Sequence, residues 1–248
     1  MCGRYSLTEG FFHIKTFYGI DLQDPDPSFI SEHSELRKPR YNIAPTQLAL
    51  AVTQLSKLDN EPSQTLTAMK WGLQPHWSDR GFFNARSETA ASKPAFRDAL
   101  KFRRCLIPAT HYFEWKSLAP KKKQPYCFQY DPNFAEDHQL MSFAALHEPG
   151  DLSTFSLLTC EPNEVARSIH DRMPVLVHPS QFNEWLDCSS PSRLKPPQVV
   201  DLLHFLASRE NTESHRLISF PVSTRINTAK FDDAELIKPV EVERTLFD

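Results

Sequence analysis

Short runs of apolar or alternating residues recur along the chain and predict a protein rich in strands. Eight runs of four to eight residues carry this pattern: 48–55, 65–71, 104–107, 112–115, 126–130, 140–146, 154–159 and 174–177. Helical spacing of apolar residues predicts short helices at 8–18, 95–102, 161–169, 179–186 and 197–206. Two further edge strands are expected near the end of the chain, at 218–222 and 234–239.

These elements favour an α+β fold. Strands and helices do not alternate regularly, which argues against a doubly wound parallel sheet. Many short strands with scattered helices are typical of a curved antiparallel sheet or barrel. The chain has no internal repeat and no clear domain boundary, so residues 1–248 are expected to form one domain. Polar residues 21–40 predict a long, mobile connection.

Composition excludes wholesale disorder, because 40% of the residues are hydrophobic and 24% are charged. The net charge of −3 argues against nonspecific binding to nucleic acid or anionic lipid. The average hides an uneven distribution, however. Residues 70–123 hold 12 basic and 4 acidic side chains, a local charge of +8, whereas residues 131–248 hold 10 basic and 19 acidic ones.

Five cysteines at wide spacing, without a C-x-x-C pair, indicate neither a zinc site nor a thioredoxin-like motif. The histidines show no metal-binding spacing either. We find no apolar signal segment and no run long enough to span a membrane, so the sequence predicts an intracellular protein with reduced thiols and no metal. Cys105, Cys127 and Cys160 lie in apolar runs and are expected in the core.

Cys2 differs from the other cysteines because of its position. If Met1 is removed, Cys2 carries a free α-amine whose reference pKa is about 7.7–8.0, far below that of a lysine. Such an amine attacks an aldehyde to form an imine, and the adjacent thiol closes a five-membered thiazolidine ring. The alternative is an incidental cysteine in a disordered terminus.

Three other segments carry candidate chemistry, each with a plainer alternative. Asn84, Arg86 and Glu88 alternate, so on a strand they would share one face, either lining a site or facing solvent. Glu114 is a candidate general acid or base if it points inward, and an ordinary surface residue if it points outward. His170 is either a proton shuttle or a residue that fixes its loop.

The aromatic residues that precede the segment of Asn84, Arg86 and Glu88 also have two interpretations. Trp71 and Trp77 are either core residues or, beside basic side chains, surfaces on which nucleic-acid bases stack. The run Lys121, Lys122 and Lys123 predicts a solvated hairpin tip.

Taken in order, seven motifs resemble those of the SRAP family of abasic-site processing proteins. They are M-C-G-R at 1–4, Y-N-I-A-P at 41–45, W-G-L-x-P-x-W at 71–77, N-A-R-S-E-T at 84–89, F-E-W-K at 113–116, K-Q-P-Y at 123–126 and I-H-D-R-M-P at 169–174. The resemblance extends over 2–240 and leaves a short acidic tail at 241–248. It implies a single α+β domain on a twisted antiparallel β-barrel with peripheral short helices and a basic groove for single-stranded DNA.

The resemblance also implies roles for individual residues. Cys2 would capture the ring-opened aldehyde of an abasic site as a thiazolidine crosslink, with Asn84 holding the Cys2 backbone or the opened sugar. Glu114 would act as acid and base in ring opening, imine formation and reversal, and His170 would assist proton transfer. The implied DNA contacts are Arg4 and Arg86 to phosphates, and Pro45 and Trp77 to the DNA beside the lesion.

Several further expectations follow from the resemblance. The protein would act without a cofactor, as a monomer on single-stranded DNA, in the cytoplasm or nucleoid, or in the nucleus of a eukaryote. Autocatalytic removal of Met1 and an abasic-site lyase activity are implied as side reactions. His76 departs from relatives that carry tryptophan there, and 21–40 is longer and more polar than a minimal member needs.

Two other functions remain open from the sequence. An N-terminal-nucleophile amidohydrolase also begins M-C-G, but the expected glutamine-binding segment is absent from the sequence. A noncovalent reader of modified DNA would leave Cys2 as a bystander.

Overall fold

A computed structural model describes residues 2–21, 32–55, 63–133, 140–188, 196–208, 211 and 215–242. Within the predicted connection at 21–40, residues 22–31 lie outside the described residues, and Ser34–Arg37 forms a short 3-10 turn. No helix in the described ranges has the length and apolar character needed to cross a lipid bilayer.

Twelve strands form the framework of the described structure. They are β1 (Tyr5–Leu7), β2 (Arg40–Ile43), β3 (Leu48–Leu55), β4 (Ser63–Trp71), β5 (Asn84–Arg86), β6 (Arg104–Ala109), β7 (His111–Ala119), β8 (Lys122–Tyr130), β9 (Met141–Glu148), β10 (Thr154–Cys160), β11 (Met173–Pro174) and β12 (Leu217–Pro221). The α-helices are α1 (Phe11–Phe17), α2 (Ser87–Ala90), α3 (Arg97–Phe102), α4 (Glu164–Arg167), α5 (Phe182–Leu186) and α6 (Pro196–Leu206). Short 3-10 turns cover Pro179–Gln181, Thr224–Asn227 and Ala234–Ile237.

The strands are arranged in two sheets. One has the order β12-β8-β7-β1-β2, and every pair in it is antiparallel. The other follows β11-β10-β4-β3-β6-β9, and a further pairing of β9 with β10 closes part of it into a ring. The α+β class predicted from the sequence is therefore confirmed. The sequence did not predict that β10 would run parallel to both β4 and β5.

Most predicted elements are present, and the differences have local causes. Residues 234–239 do not form a strand: the Asp233 side chain accepts a hydrogen bond from the Glu235 N–H and starts the 3-10 turn Ala234–Ile237 instead. The helix predicted over 161–169 shortens to α4, because Asn163 caps it by accepting from Ala166 N–H at 2.8 Å. Strands β1, β2 and β5, of three or four residues each, were not predicted as strands.

Two hydrophobic clusters lie on opposite faces of β7. The larger one contains Cys2 and Tyr112, and the smaller one contains Phe113 and Cys127 with the C-terminal residues Val222, Ile226 and Leu236. Because successive strand residues point to opposite faces, β7 is buried on both sides. Its neighbours β1 and β8 fix it in the sheet, so its inward-facing side chains have defined positions.

Several core predictions are confirmed. Cys105, Cys127 and Cys160 are buried free thiols. Trp71 is fully buried, and its indole N–H donates to the Phe83 carbonyl at 2.9 Å. The lysine run forms the exposed tip of the β7–β8 hairpin, where Lys121 adopts a positive φ of 66°.

Candidate active site around Cys2

Cys2 lies three residues before β1 and is held by its backbone. The Asn84 side-chain amide donates to the Cys2 carbonyl at 2.9 Å, and the Cys2 thiol donates to the Arg4 carbonyl at 3.6 Å. The side chain is fully buried. Burial, and after it the negative charge of Glu114, raise the pKa of the thiol, so it is protonated in this state. The resting thiol must therefore lose a proton before it can act as a nucleophile.

Asn84 reaches the N-terminus because β5 pairs with β10 in the interior of the protein. Its Oδ1 atom is buried and has no hydrogen-bond partner among the described residues. The amide group thus fixes the backbone of Cys2 through its nitrogen and leaves an acceptor oxygen in the site. Arg86, two residues later on β5, shares the strand face of Asn84, as predicted. Glu88 does not, because the chain turns into helix α2 at Ser87.

Glu114 points into the larger core, which decides between the two orientations that the sequence left open. The residue is 2% exposed. Burial, and to a lesser extent the charge of Asp171, raises the pKa of its carboxyl from 4.5 to about 7, against the opposing charge of the N-terminus and the smaller effect of Lys123. A carboxyl with this pKa exists in both protonation states near neutral pH and can donate as well as accept a proton.

His170 faces Glu114 across the site. Its Nε2 atom lies 3.6 Å from the Glu114 Oε2 atom, while its Nδ1 atom accepts from the Arg172 backbone N–H at 3.0 Å. In the neutral ring that bond assigns the proton to Nε2, toward Glu114. Burial lowers the pKa of His170, although the exposed Asp171 carboxylate, 3.1 Å from Nδ1, acts in the opposite direction. The neutral imidazole is therefore favoured.

An ion pair that no local sequence pattern predicts orders the loop of His170. Arg172 makes a bidentate contact with Glu88, at 2.6 Å from Nη1 to Oε1 and 2.9 Å from Nη2 to Oε2, and it also donates to the Thr159 carbonyl. Although burial acts to raise it, the hydrogen bonds from Arg172 lower the pKa of Glu88. The signal available in the sequence was one acid and one base in two separate candidate segments, and their pairing is long-range.

The predicted DNA-contacting residues differ in how they are placed. Trp77 is 54% exposed, Arg86 is exposed, and Pro45 is half-buried in the turn after β2. Arg4 is already engaged: it donates to the Asn42 side chain at 3.3 Å and to the Asn227 carbonyl at 3.1 Å. The guanidinium of Arg4 therefore ties the C-terminal segment to β2, and a phosphate would compete with those bonds.

The basic segment 70–123 contributes less surface charge than its sequence suggests. Arg104 is 1% exposed and donates to the carbonyls of Trp185, Leu100, Lys101 and Asp187. Arg103 pairs with Glu148 at 2.9 Å. These two arginines join structural elements. The basic wall of a DNA-binding groove would therefore have to be built from the remaining basic residues of 70–123. No cluster of three or more potential metal ligands occurs within the described ranges.

A profile of the SOS response associated peptidase (SRAP) family matches residues 1–229. The chain belongs to the SRAP family. It is 33% identical over 246 residues to the abasic site processing protein YoaM of Bacillus subtilis, covering 95% of this chain and 99% of the relative. It is 26% identical over 251 residues to the abasic site processing protein YedK of Escherichia coli, covering 97% and 100%.

The fold of the SRAP domain is also found in a crystal structure of a protein from Bacteroides thetaiotaomicron. That structure matches with a TM-score of 0.74 at 18% identity, covering 97% of this chain and 100% of the other. At this level of identity the match supports the α+β fold alone. Family membership supports a role in processing abasic sites in DNA.

Proposed function

We propose that this SRAP protein captures abasic sites in single-stranded DNA by a covalent bond to Cys2. The observation that carries the proposal is the convergence of distant segments on the start of the chain. Asn84 holds the Cys2 carbonyl at 2.9 Å, the charge of the buried Glu114 acts on the Cys2 thiol, and the half-buried His170 lies 3.6 Å from Glu114. An amide, an acid/base pair and a thiol grouped in this way suit the capture of an aldehyde.

The reaction begins with removal of Met1, which leaves the Cys2 α-amine free. The amine attacks C1′ of the ring-opened sugar, and loss of water gives an imine. The Cys2 thiol gives its proton to the Glu114 carboxylate, the sulfur adds to the imine carbon, and Glu114 passes the proton on to the imine nitrogen, so that a thiazolidine results. No oxidant or cofactor is consumed.

Glu114 and His170 divide the proton transfers. Ring opening requires a proton to leave the C1′ hydroxyl and another to reach the ring oxygen, and a carboxyl with a pKa of about 7 suits both steps. The His170 Nε2–H is directed to the same carboxyl and can return protons to it. The same groups would serve crosslink reversal, β-elimination from the imine, and self-removal of Met1.

Single-stranded DNA is the substrate form that the surface residues favour. Trp77 presents an exposed ring on which an unpaired base can stack, and Arg86 presents an exposed guanidinium to a phosphate. In a duplex the bases are already stacked, so the ring of Trp77 would gain little.

The test mixes the protein with a single-stranded oligonucleotide carrying one abasic site and separates the products on a denaturing gel. We expect a heat-stable adduct from the parent and none from Cys2→Ala. Cys127→Ala is the matched control, because Cys127 is an equally buried thiol in the smaller cluster, on the other face of β7. It should form the adduct at the parental rate.

Normal crosslinking by Cys2→Ala would refute the mechanism. Binding without any adduct, in the parent and the variant alike, would instead indicate a noncovalent reader. The intact mass of the purified protein is measured alongside, since retained Met1 blocks the amine.

A further inference from the structure

The hydroxyl of Tyr112 is a buried polar group that takes part in no step of the proposed reaction. Tyr112 is fully buried, and its Oη atom has no hydrogen-bond partner in the described part of the chain. Leaving a buried hydroxyl unpaired is unfavourable, and phenylalanine would fill the same space without that cost. A role in a state with a different hydrogen-bond pattern would explain why the hydroxyl is there.

Strand geometry places Tyr112 on the active-site side of β7. Tyr112 and Glu114 are two residues apart and face the larger core, whereas Phe113 between them belongs to the smaller cluster. The ring of Tyr112 stacks on Phe128 with centroids 4.5 Å apart at 6°, and meets Phe143 edge-on at 6.1 Å. The hydroxyl is therefore held in a fixed place.

The charges of two site residues, Cys2 and Glu114, affect the pKa of this hydroxyl. Burial first, and then the charges of Cys2 and Glu114, raise the pKa of Tyr112. Tyr112 is thus within electrostatic range of both groups and remains protonated, as a neutral donor. Cys160 and, from the smaller cluster, Cys127 act on it in the same direction.

A thiolate at Cys2 needs such a donor. Burial and the charge of Glu114 both disfavour the thiolate, and the partner of the resting thiol, the Arg4 carbonyl, is an acceptor that cannot stabilise an anion. A hydroxyl donor stabilises the thiolate without adding a charge to the core.

We propose that the Tyr112 hydroxyl donates a hydrogen bond to the Cys2 sulfur when the thiol loses its proton. The bond from Sγ–H to the Arg4 carbonyl breaks, the proton passes to the Glu114 carboxylate, and the Oη–H···Sγ bond forms. Tyr112 keeps its own proton throughout. This makes Tyr112 a further catalytic residue of the thiol step, and the inference rests on the proposed function of Cys2.

The test compares Tyr112→Phe with Tyr18→Phe. Tyr18 is also a buried tyrosine, but its hydroxyl is paired with the Ser142 hydroxyl at 2.7 Å. Thermal unfolding should therefore separate the two variants: Tyr18→Phe lowers Tm, whereas Tyr112→Phe leaves Tm unchanged or raises it. This comparison also establishes that Tyr112→Phe is folded.

The decisive measurement is the pH dependence of Cys2 alkylation by iodoacetamide, followed by the mass of the N-terminal peptide and made without DNA. Tyr112→Phe should raise the apparent pKa of the Cys2 thiol by about one unit, which slows alkylation about ten-fold below that pKa. Tyr18→Phe should match the parent. Crosslinking to an abasic single strand should slow by a similar factor in Tyr112→Phe alone.

An unchanged alkylation profile in Tyr112→Phe would overturn the inference, whatever the crosslinking result. Absence of a crosslink in the parent would instead refute the proposed function. The alkylation profile would still decide whether Tyr112 stabilises the thiolate.

Discussion

Replacing Glu114 by glutamine should make the protein more stable at neutral pH, by an amount that depends on pH. Glutamine keeps the size of the side chain and removes the charge. The side chain lies in the core, and burial raises the pKa of its carboxyl from 4.5 to about 7. The protein therefore holds a proton at neutral pH that the unfolded chain releases.

The sign and size of the effect follow from the two pKa values. Below pH 4.5 both states are protonated, and Glu114 adds no pH dependence. Between pH 4.5 and 7 the unfolded chain binds fewer protons than the folded one, so the free energy of unfolding falls as pH rises. From about one unit above pH 7 the loss is complete and amounts to about 3 kcal/mol, because the pKa shifts from 4.5 to about 7 and each pKa unit corresponds to ~1.4 kcal/mol.

The assay is urea unfolding of the parent and Glu114→Gln at intervals from pH 4.5 to 8.5. We expect the difference in the free energy of unfolding to grow over this range in favour of glutamine, and to level off above pH 7. The same pair is measured in a His170→Ala background, since His170 lies 3.6 Å from the carboxyl and carries a titratable ring. A difference that stays constant between pH 5 and 8 in both backgrounds would refute the burial argument.

Three further predictions test the surroundings of the site. Arg86→Ala should weaken DNA binding and reduce the slope of log affinity against log salt by about 1, measured by fluorescence anisotropy; an unchanged slope would exclude a phosphate contact. Glu88→Gln should slow crosslinking several-fold while Glu88→Asp restores part of the rate in gel time courses, because the pair with Arg172 orders the catalytic loop. Gly72→Ala should lower thermal stability by more than about 1 kcal/mol, since φ is +134° and a Cβ would lie 3.0 Å from Phe83; an unchanged Tm would contradict this.

Local sequence patterns predicted most of the framework. The strand at Leu48–Leu55 was predicted to the residue, and the other long strands were predicted at the right places. Alternation and apolar runs are local properties, so they predict a strand without any knowledge of which strand it pairs with. The short strands β1, β2 and β5 carry too few residues for a pattern, and their pairing partners are remote in the sequence.

The orientation of Glu114 could not be predicted from the sequence, for a different reason. Alternation assigns Phe113 and Trp115 to one face of the strand and Tyr112 with Glu114 to the other, and it leaves open which face carries the core. Both faces of β7 are in fact buried, because the C-terminal segment around Val222 and Leu236 covers the phenylalanine side. The opposite face of β7, which carries Tyr112 and Glu114, packs against the larger core.

The sequence by itself determined the residue types of the site and their order along the chain, together with the α+β class. Tertiary structure decided which of them act together. Asn84 contacts Cys2 from 82 residues away, and Arg172 contacts Glu88 from 84 residues away. Contacts over that separation depend on how the strands pair, and the pKa of each group depends on how deeply the fold buries it. Neither is a property of a local segment, which is why the acid/base pair at Cys2 emerges only in the folded chain.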